Sequence, residues 1–584
     1  VKVRVKNGDS QERNGSNNEP KLAVDQDGNV WLATDSDDGT ETGEAVGESQ
    51  DQGRDQEQVQ GKDREQGQGK DQEQGQEKDQ GKGTIDQMTV EEKRLKERED
   101  IPPSMEEVQR LLEERVGLNK SFDLLLREMV FGDKRVGIFY CNGFVKDEVL
   151  TQILMRLTYA DEQTVQEHTL ETFADRLMPH NQVKIYKKMS EIVGQVLMGG
   201  TAFFIEGERA AIAVDVKNYP ARSIAEPDLE RVVRGSRDGF VETLLINVTM
   251  LRRRLRDERL KLEIVQVGKR TKTDICIGYL NDVADPNLVE AIKDKINKVK
   301  IDGLPLAEKQ LEESIVNRGW NPYPMVRYSE RPDVVAAHML EGHVVVFVDT
   351  SPSAMILPTT FFHHVQHAEE YRQTPFIGTY LRWVRFAGIM ASLFLLPLWF
   401  LMVQDPSLKP PGLDFIGPQK ESHLPVIVQF LLADIGIDLM RMAAVHTPTP
   451  LATAMGLVAA ILIGDIAVKT GLFINEVILY LAVASIGMFA TPSYELGLAN
   501  RITRLLLLVA AAIFQVPGLV VGSTLWLIFL ATRRSYNSPY MWPFIPFNAK
   551  GFFAILVRRP VLSAKTRLSL TQPIDGTRQP EPQQ

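Results

Sequence analysis

Cysteine is nearly absent: Cys141 and Cys276 are the only two in 584 residues. That count excludes a disulfide-stapled fold. Each thiol sits inside a β-like run (RVGIFYC and TDICIGYL), so buried, reduced cysteines in a cytosolic domain are expected. Apolar side chains are missing from a different place. Between Glu48 and Gly83 the only one is Val59, in a run of Gln, Gly, Asp, Glu and Lys that cannot bury enough surface to offset its ordering entropy. Residues 1–100 are therefore expected to form a disordered, low-complexity tail. No positively charged and then apolar stretch opens the sequence, and the first 385 residues are expected on the cytoplasmic side.

Charge is what the later part of the chain lacks. Phe386 to Val403 holds none over 18 residues, about 27 Å as a helix against a hydrocarbon core of about 30 Å. Leu451–Val468, Leu472–Ala490 and Leu505–Ala531 are similar runs. The last is broken by Pro517-Gly518 and reads as two short helices joined by a tight turn. Leu424–Ala444 has the length of a span but carries Asp434, Asp438 and Arg441, which a spacing of four and three places on one helical face. With it the expected membrane domain, residues 386–534, has about six helices. Arg382, Arg385, Arg441, Arg501, Arg504, Arg533 and Arg534 then fall at cytoplasmic ends, against Lys409, Lys420 and Lys469 outside, which puts both termini in the cytoplasm. The 535–584 segment is basic, with Arg558, Arg559, Lys565 and Arg567, and suits an anionic lipid leaflet.

Asp465 stands alone among the apolar residues of Leu451–Val468. A charge at the bilayer centre costs about 2.5–3.5 kcal/mol on the lenient insertion scale, so it needs a partner on another helix or subunit, or water. Gly464 beside it leaves room for a neighbouring helix. Asp434, Asp438, Arg441 and Asp465 are accordingly the pore or gating candidates.

Between Ile101 and Arg385, strand-like and helix-like runs alternate. Val136, Ile138 and Tyr140 begin one strand; Thr201–Val216 reads as a hairpin turning at Glu206-Gly207; KLEIVQVG and KTDICIGYL form a pair; and GHVVVFVDT is a later strand. A cytosolic α/β or α+β domain in two lobes, residues 101–385, is expected. A helix over Val241–Leu260 has one apolar stripe and ends in Arg252, Arg253, Arg254, Arg256 and Arg259, which complement its dipole.

Sites for chemistry mostly fail on inspection. VGKRT lacks the glycine a P-loop needs where Glu263 stands and the hydroxyl it needs where Arg270 stands. FFHHVQHAEEY places His363 and His367 one turn apart, but His364 occupies the position of a zincin's general base. A structural or pH-sensing role for His363, His364 and His367 fits better than a metal site. Neither an enzyme nor a nucleic-acid partner nor a cofactor is indicated.

Four phrases in order, RVVRGSRDGFVETLLINVTMLRRRL, LEIVQVGKRTKTDICIGYL, YSERPDVVAAHMLEGHVVVFVDTSPSAMILPTTFF and YNSPYMWPFIPFN, resemble the A subunits of bacterial spore germinant receptors, the GerA family. The resemblance runs from about Ile101 to about Thr571. HHVQHAEEYRQTP departs from the EDYY-like phrase usual in nutrient receptors, so the usual B and C partners do not follow for this chain. The resemblance implies a multi-pass protein of the spore inner membrane that acts in germination. It further implies a homo-oligomer, with other germination membrane proteins as partners, and ion conduction or channel gating as the role. A non-conducting scaffold is the alternative and a secondary transporter a weaker one. It also places the three histidines in a compartment whose pH rises during germination, across the range where imidazole titrates.

Overall fold

The computed structural model describes residues 22–24 and 30–32 and, from 99 to 578, all but 161–168, 220–229, 231, 317–318, 413–416, 420–421 and 447–448. Within the expected tail, β1 (Leu22–Val24) pairs antiparallel with β2 (Val30–Leu32), a short hairpin in place of the featureless segment expected there. The rest of that tail lies outside the described residues.

The first lobe is a five-stranded sheet in the order β3 (Leu124–Phe131), β4 (Lys134–Cys141), β6 (Thr201–Ile205), β7 (Ala211–Val214), β5 (Val183–Tyr186). Gly132 and Asp133 join β3 to β4, both at positive φ (52° and 67°), as a two-residue turn that follows the sheet's twist requires. Helices α1 (Met105–Val116) and α3 (Met189–Leu197) cover one face; α2 (Asp147–Leu157) covers the other. With both faces covered, TAFFI and AIAV are buried at every position, so these strands read as apolar runs instead of alternating.

The second lobe repeats the plan in the order β10 (Arg327–Ser329), β12 (Ala354–Leu357), β11 (Val344–Val348), β9 (Thr273–Leu280), β8 (Leu260–Val267). Helices α4 (Leu244–Arg254) and α7 (Pro332–Leu340) lie on one face, α5 (Pro286–Asn297) and α6 (Ala307–Ile315) on the other. Every strand pair in both sheets is antiparallel, which decides for α+β over α/β.

Arg252 corrects one expectation. The helix is shorter than predicted, and Arg252 does more than complement its dipole. Fully buried, it forks onto Asp123 (Nε–Oδ2 2.8 Å, Nη2–Oδ1 3.1 Å), which precedes β3, and so ties the lobes together. Phe122 N–H donates to Leu262 O beside it (3.1 Å). Cys141 and Cys276 are free and buried; burial, then the Asp123 carboxylate, pushes both thiols up.

The later helices are α8 (Ala368–Arg372), α9 (Pro375–Gln404), α10 (Val426–His446), α11 (Thr449–Ala459, continued by a π-helical turn over Ala460–Ile466), α12 (Asn475–Phe489), α13 (Tyr494–Thr532) and α14 (Ala549–Leu556). α9 and α13 are long and apolar enough to cross a membrane. α13 breaks at Gln515 (φ 55°, ψ −139°), just before Pro517, and its second limb folds back so that Gly518 and Gly522 lie against Ala510 and Leu507. At the α9–α12 crossing the backbones of Gly388 and Gly487 touch, leaving no space for a Cβ on Gly487. Trp399, Phe430, Val477, Leu481 and Leu508 fill the core between these helices.

Candidate functional site

The face that carries Asp434 and Asp438 meets two arginines of α13. Asp434 is buried; its Oδ1 takes Arg504 Nη2 at 2.6 Å and Arg501 Nη2 at 3.3 Å. Arg501 also donates to the Asp434 carbonyl and pairs with Asp438, whose side chain is 45% exposed. Arg504 Nη1 reaches Ser392 O on α9 at 3.3 Å, so one cluster binds three helices. Arg501 and Arg504, counted from the sequence among the arginines at cytoplasmic ends, are both buried among helices, where two carboxylates on α10 face them.

Arg441 turns elsewhere. Its guanidinium lies over the rings of Phe489 (5.3 Å) and Tyr494 (5.8 Å), with Nη2 3.3 Å from Met488 Sδ. Asp465 corrects the expected partner: its Oδ2 pairs with Lys469 Nζ at 2.7 Å, one turn on along its own helical segment. The pair is exposed (Asp465 60%), and among the described residues nothing lies within 4 Å of where a Cβ on Gly464 would stand.

The three histidines expected to act together are separated. His363 joins His338 and His343, which sequence reasoning missed for want of any local spacing; ring centroids lie 5.1–5.6 Å apart. His338 Nδ1 donates to Val334 O (2.8 Å) and His343 Nδ1 to His338 O (2.9 Å), while His363 Nδ1 accepts from Thr360 N–H (3.3 Å), which only a neutral ring can do. Burial first, with Arg327 nearby, pushes all three below the ordinary imidazole range, His343 to about 4. The charge change of His363, the member of this cluster expected to sense pH, therefore lies below the ordinary imidazole range. His364 Nε2 faces Thr359 Oγ1 at 3.4 Å; His367 caps α8 by accepting from Glu369 N–H (3.2 Å). Among the described residues no group of three His, Cys, Asp or Glu side chains is placed to hold a metal ion.

Two further contacts join the lobes to the long helices. Glu370 on α8, wholly buried, takes Arg382 Nε at 2.7 Å and pairs with Arg385, both on α9; Arg382 Nη1 also closes on the carbonyls of Ala554 and Ile555 at the end of α14. Arg558 donates to Tyr371 O (2.6 Å) and Arg567 pairs with Asp575 (2.7 Å), so half of the basic residues expected to meet lipid are used inside the protein. Tyr323, from the second lobe, reaches the base of the α13 hairpin: its hydroxyl lies 2.8 Å from Thr503 Oγ1 and 3.3 Å from Asn500 Oδ1 on one limb, and accepts from Trp526 Nε1 on the other (2.6 Å).

Residues 111–570 match the family described as Bacillus/Clostridium GerA spore germination protein. The chain belongs to the GerA family. It is 49% identical over 466 residues to stage V sporulation protein AF of Bacillus subtilis (strain 168), covering 80% of this chain and 94% of that protein. An uncharacterized membrane protein of the same organism, YfkQ, is 30% identical over 75% of this chain and 86% of its own. Spore germination protein KA, also of that organism, is 27% identical over 82% and 90%. Family membership thus covers both sheets and the helical part, including Asp434, Asp438, Arg441 and Asp465.

Proposed function

We propose that this GerA-family protein is a multi-span subunit of a germination complex in the spore inner membrane, assembled as a homo-oligomer in which carboxylates border a cation path. One observation carries the reading. In the single chain Asp438 is half-exposed and the Asp465–Lys469 pair exposed, on segments otherwise clothed in exposed Leu432, Ile435, Leu439, Leu457 and Ile461. Charged groups on such a surface are costly against lipid, and a second copy or a water-filled path relieves that cost. Six spans with both termini in the cytoplasm accord with the clustering of arginine on one side.

The buried Asp434–Arg504 pair favours a second reading, a non-conducting scaffold whose charges serve only to lock helices. Cation flux into liposomes holding the purified oligomer separates the two. Flux lowered in Asp438→Asn and Asp465→Asn, at wild-type protein level, supports the path; flux absent from the wild type leaves the scaffold.

A further inference from the structure

We propose that Arg441 anchors a pocket for the headgroup of an anionic phospholipid. Arg441, Arg385, His367, Phe489, Thr491 and Tyr494 line a pocket of about 380 Å³, within the range of small-molecule sites, about 300–1,000 Å³. Its charge is unbalanced. Arg385 is matched by buried Glu370, and His367 is held toward neutrality, by burial first and then by Arg385. Among the described residues Arg441 has ring faces and a thioether as its partners, and its buried Nε has no hydrogen-bond acceptor. Arg382, Arg385, Arg501 and Arg504 among these helices each have a carboxylate. A guanidinium held this way lacks an anion, and a phosphate oxygen suits its forked donors.

The surroundings decide the source of that phosphate. Phe489 and Tyr494 at the pocket are 68% and 56% exposed, and Tyr380 and Trp383, within two turns of Arg385 on α9, are exposed as well. Such aromatics mark headgroup level. Away from the cytosolic lobes the outer surface continues in exposed Leu439 of α10 and Val483 and Leu479 of α12, which offers acyl chains a face. A basic pocket between helices at cytoplasmic level is what anionic headgroups occupy. The inference rests on these helices being embedded in a membrane.

The test is thermal unfolding of the full-length protein in nanodiscs of phosphatidylcholine with or without phosphatidylglycerol. Phosphatidylglycerol is expected to raise the unfolding temperature of the wild type and of Arg559→Gln, an exposed cation outside the pocket, but not of Arg441→Gln. An undiminished response in Arg441→Gln, or an equal loss in Arg559→Gln, overturns the assignment. So does an equal rise from inorganic phosphate in phosphatidylcholine discs, which would mark a soluble-anion site. Should Arg441→Gln not assemble, Arg441→Lys keeps the charge without the fork and is expected to respond less; a full response there also overturns it. Recovery of the wild-type chain without detergent in the soluble fraction overturns the membrane reading and this one together. An embedded chain with no lipid preference overturns this one alone.

Discussion

Trp526 donates its indole N–H to the hydroxyl of Tyr323 over 2.6 Å, joining a side chain of the second lobe to the returning limb of the broken helix. The same hydroxyl meets Thr503 and Asn500 on the outgoing limb, so one buried atom closes the hairpin at its base. Burial pushes the phenol up to about 12, which keeps it a neutral donor and acceptor at any physiological pH. A lobe movement that displaces Tyr323 must therefore open this hydrogen-bond network, which gives the second lobe a mechanical handle on both limbs.

Tyr323→Phe leaves the Trp526 N–H buried without its acceptor, and a cost of about 1–3 kcal/mol is expected from one unsatisfied group. Thermal unfolding of the purified protein should fall accordingly while membrane insertion is unchanged. If Tyr323→Phe melts with the wild type, the hydroxyl is not what holds the hairpin.

Asp123→Ala removes one half of a fully buried ion pair and strands Arg252, at an expected cost of about 3–5 kcal/mol. The double variant Asp123→Leu, Arg252→Met should recover much of that loss, since an apolar replacement leaves no stranded charge. Denaturant titration of both variants reads the difference, and equal losses would show that the charges hold the lobes through some other contact.

The three carboxylates on the helices should separate by burial. Asp434→Asn weakens a buried cluster shared by three helices and is expected to lower the amount of folded protein in the membrane fraction. Asp438→Asn and Asp465→Asn, whose side chains reach solvent, should leave that amount unchanged. Quantitative immunoblotting of membranes checks the order; abundant Asp434→Asn protein would argue against a structural role for that pair.

The histidine cluster makes a prediction of sign. Imidazoles whose values are lowered on folding bind protons more readily in the unfolded chain, so their contribution to stability is complete above the unfolded value of about 6.5 and falls as the pH drops below it toward the folded values, about 4 for His343. Arg327, the charged group beside the rings, is itself paired with Glu230 at 2.9 Å. Stability should thus be flat from pH 7 to 8 and decline from about 6.5 to 4. The triple variant His338→Gln, His343→Gln, His363→Gln should flatten that decline. A wild-type transition centred between pH 7 and 8 would contradict the burial argument.

Local pattern was enough for much of this protein. The hairpin at Glu206-Gly207, the KLEIVQVG and KTDICIGYL pair and the break near Pro517 are all found, because turn chemistry, strand periodicity and a missing backbone N–H act within a few residues. The charged face of α10 was legible for the same reason: helical spacing alone brings Asp434 and Asp438 together. What those charges meet was not. Arg501 and Arg504 lie about seventy positions away, and Asp123 and Arg252 about one hundred and thirty, so only the packing of whole elements could bring them within 3 Å. The histidines show the converse: neighbours in sequence point to different partners, and His363 finds His338 and His343 across the fold. Sequence marked which charges stand in apolar stretches, since composition and spacing are local; tertiary structure decided which of them are buried and chose each partner, since burial and pairing depend on distance in space.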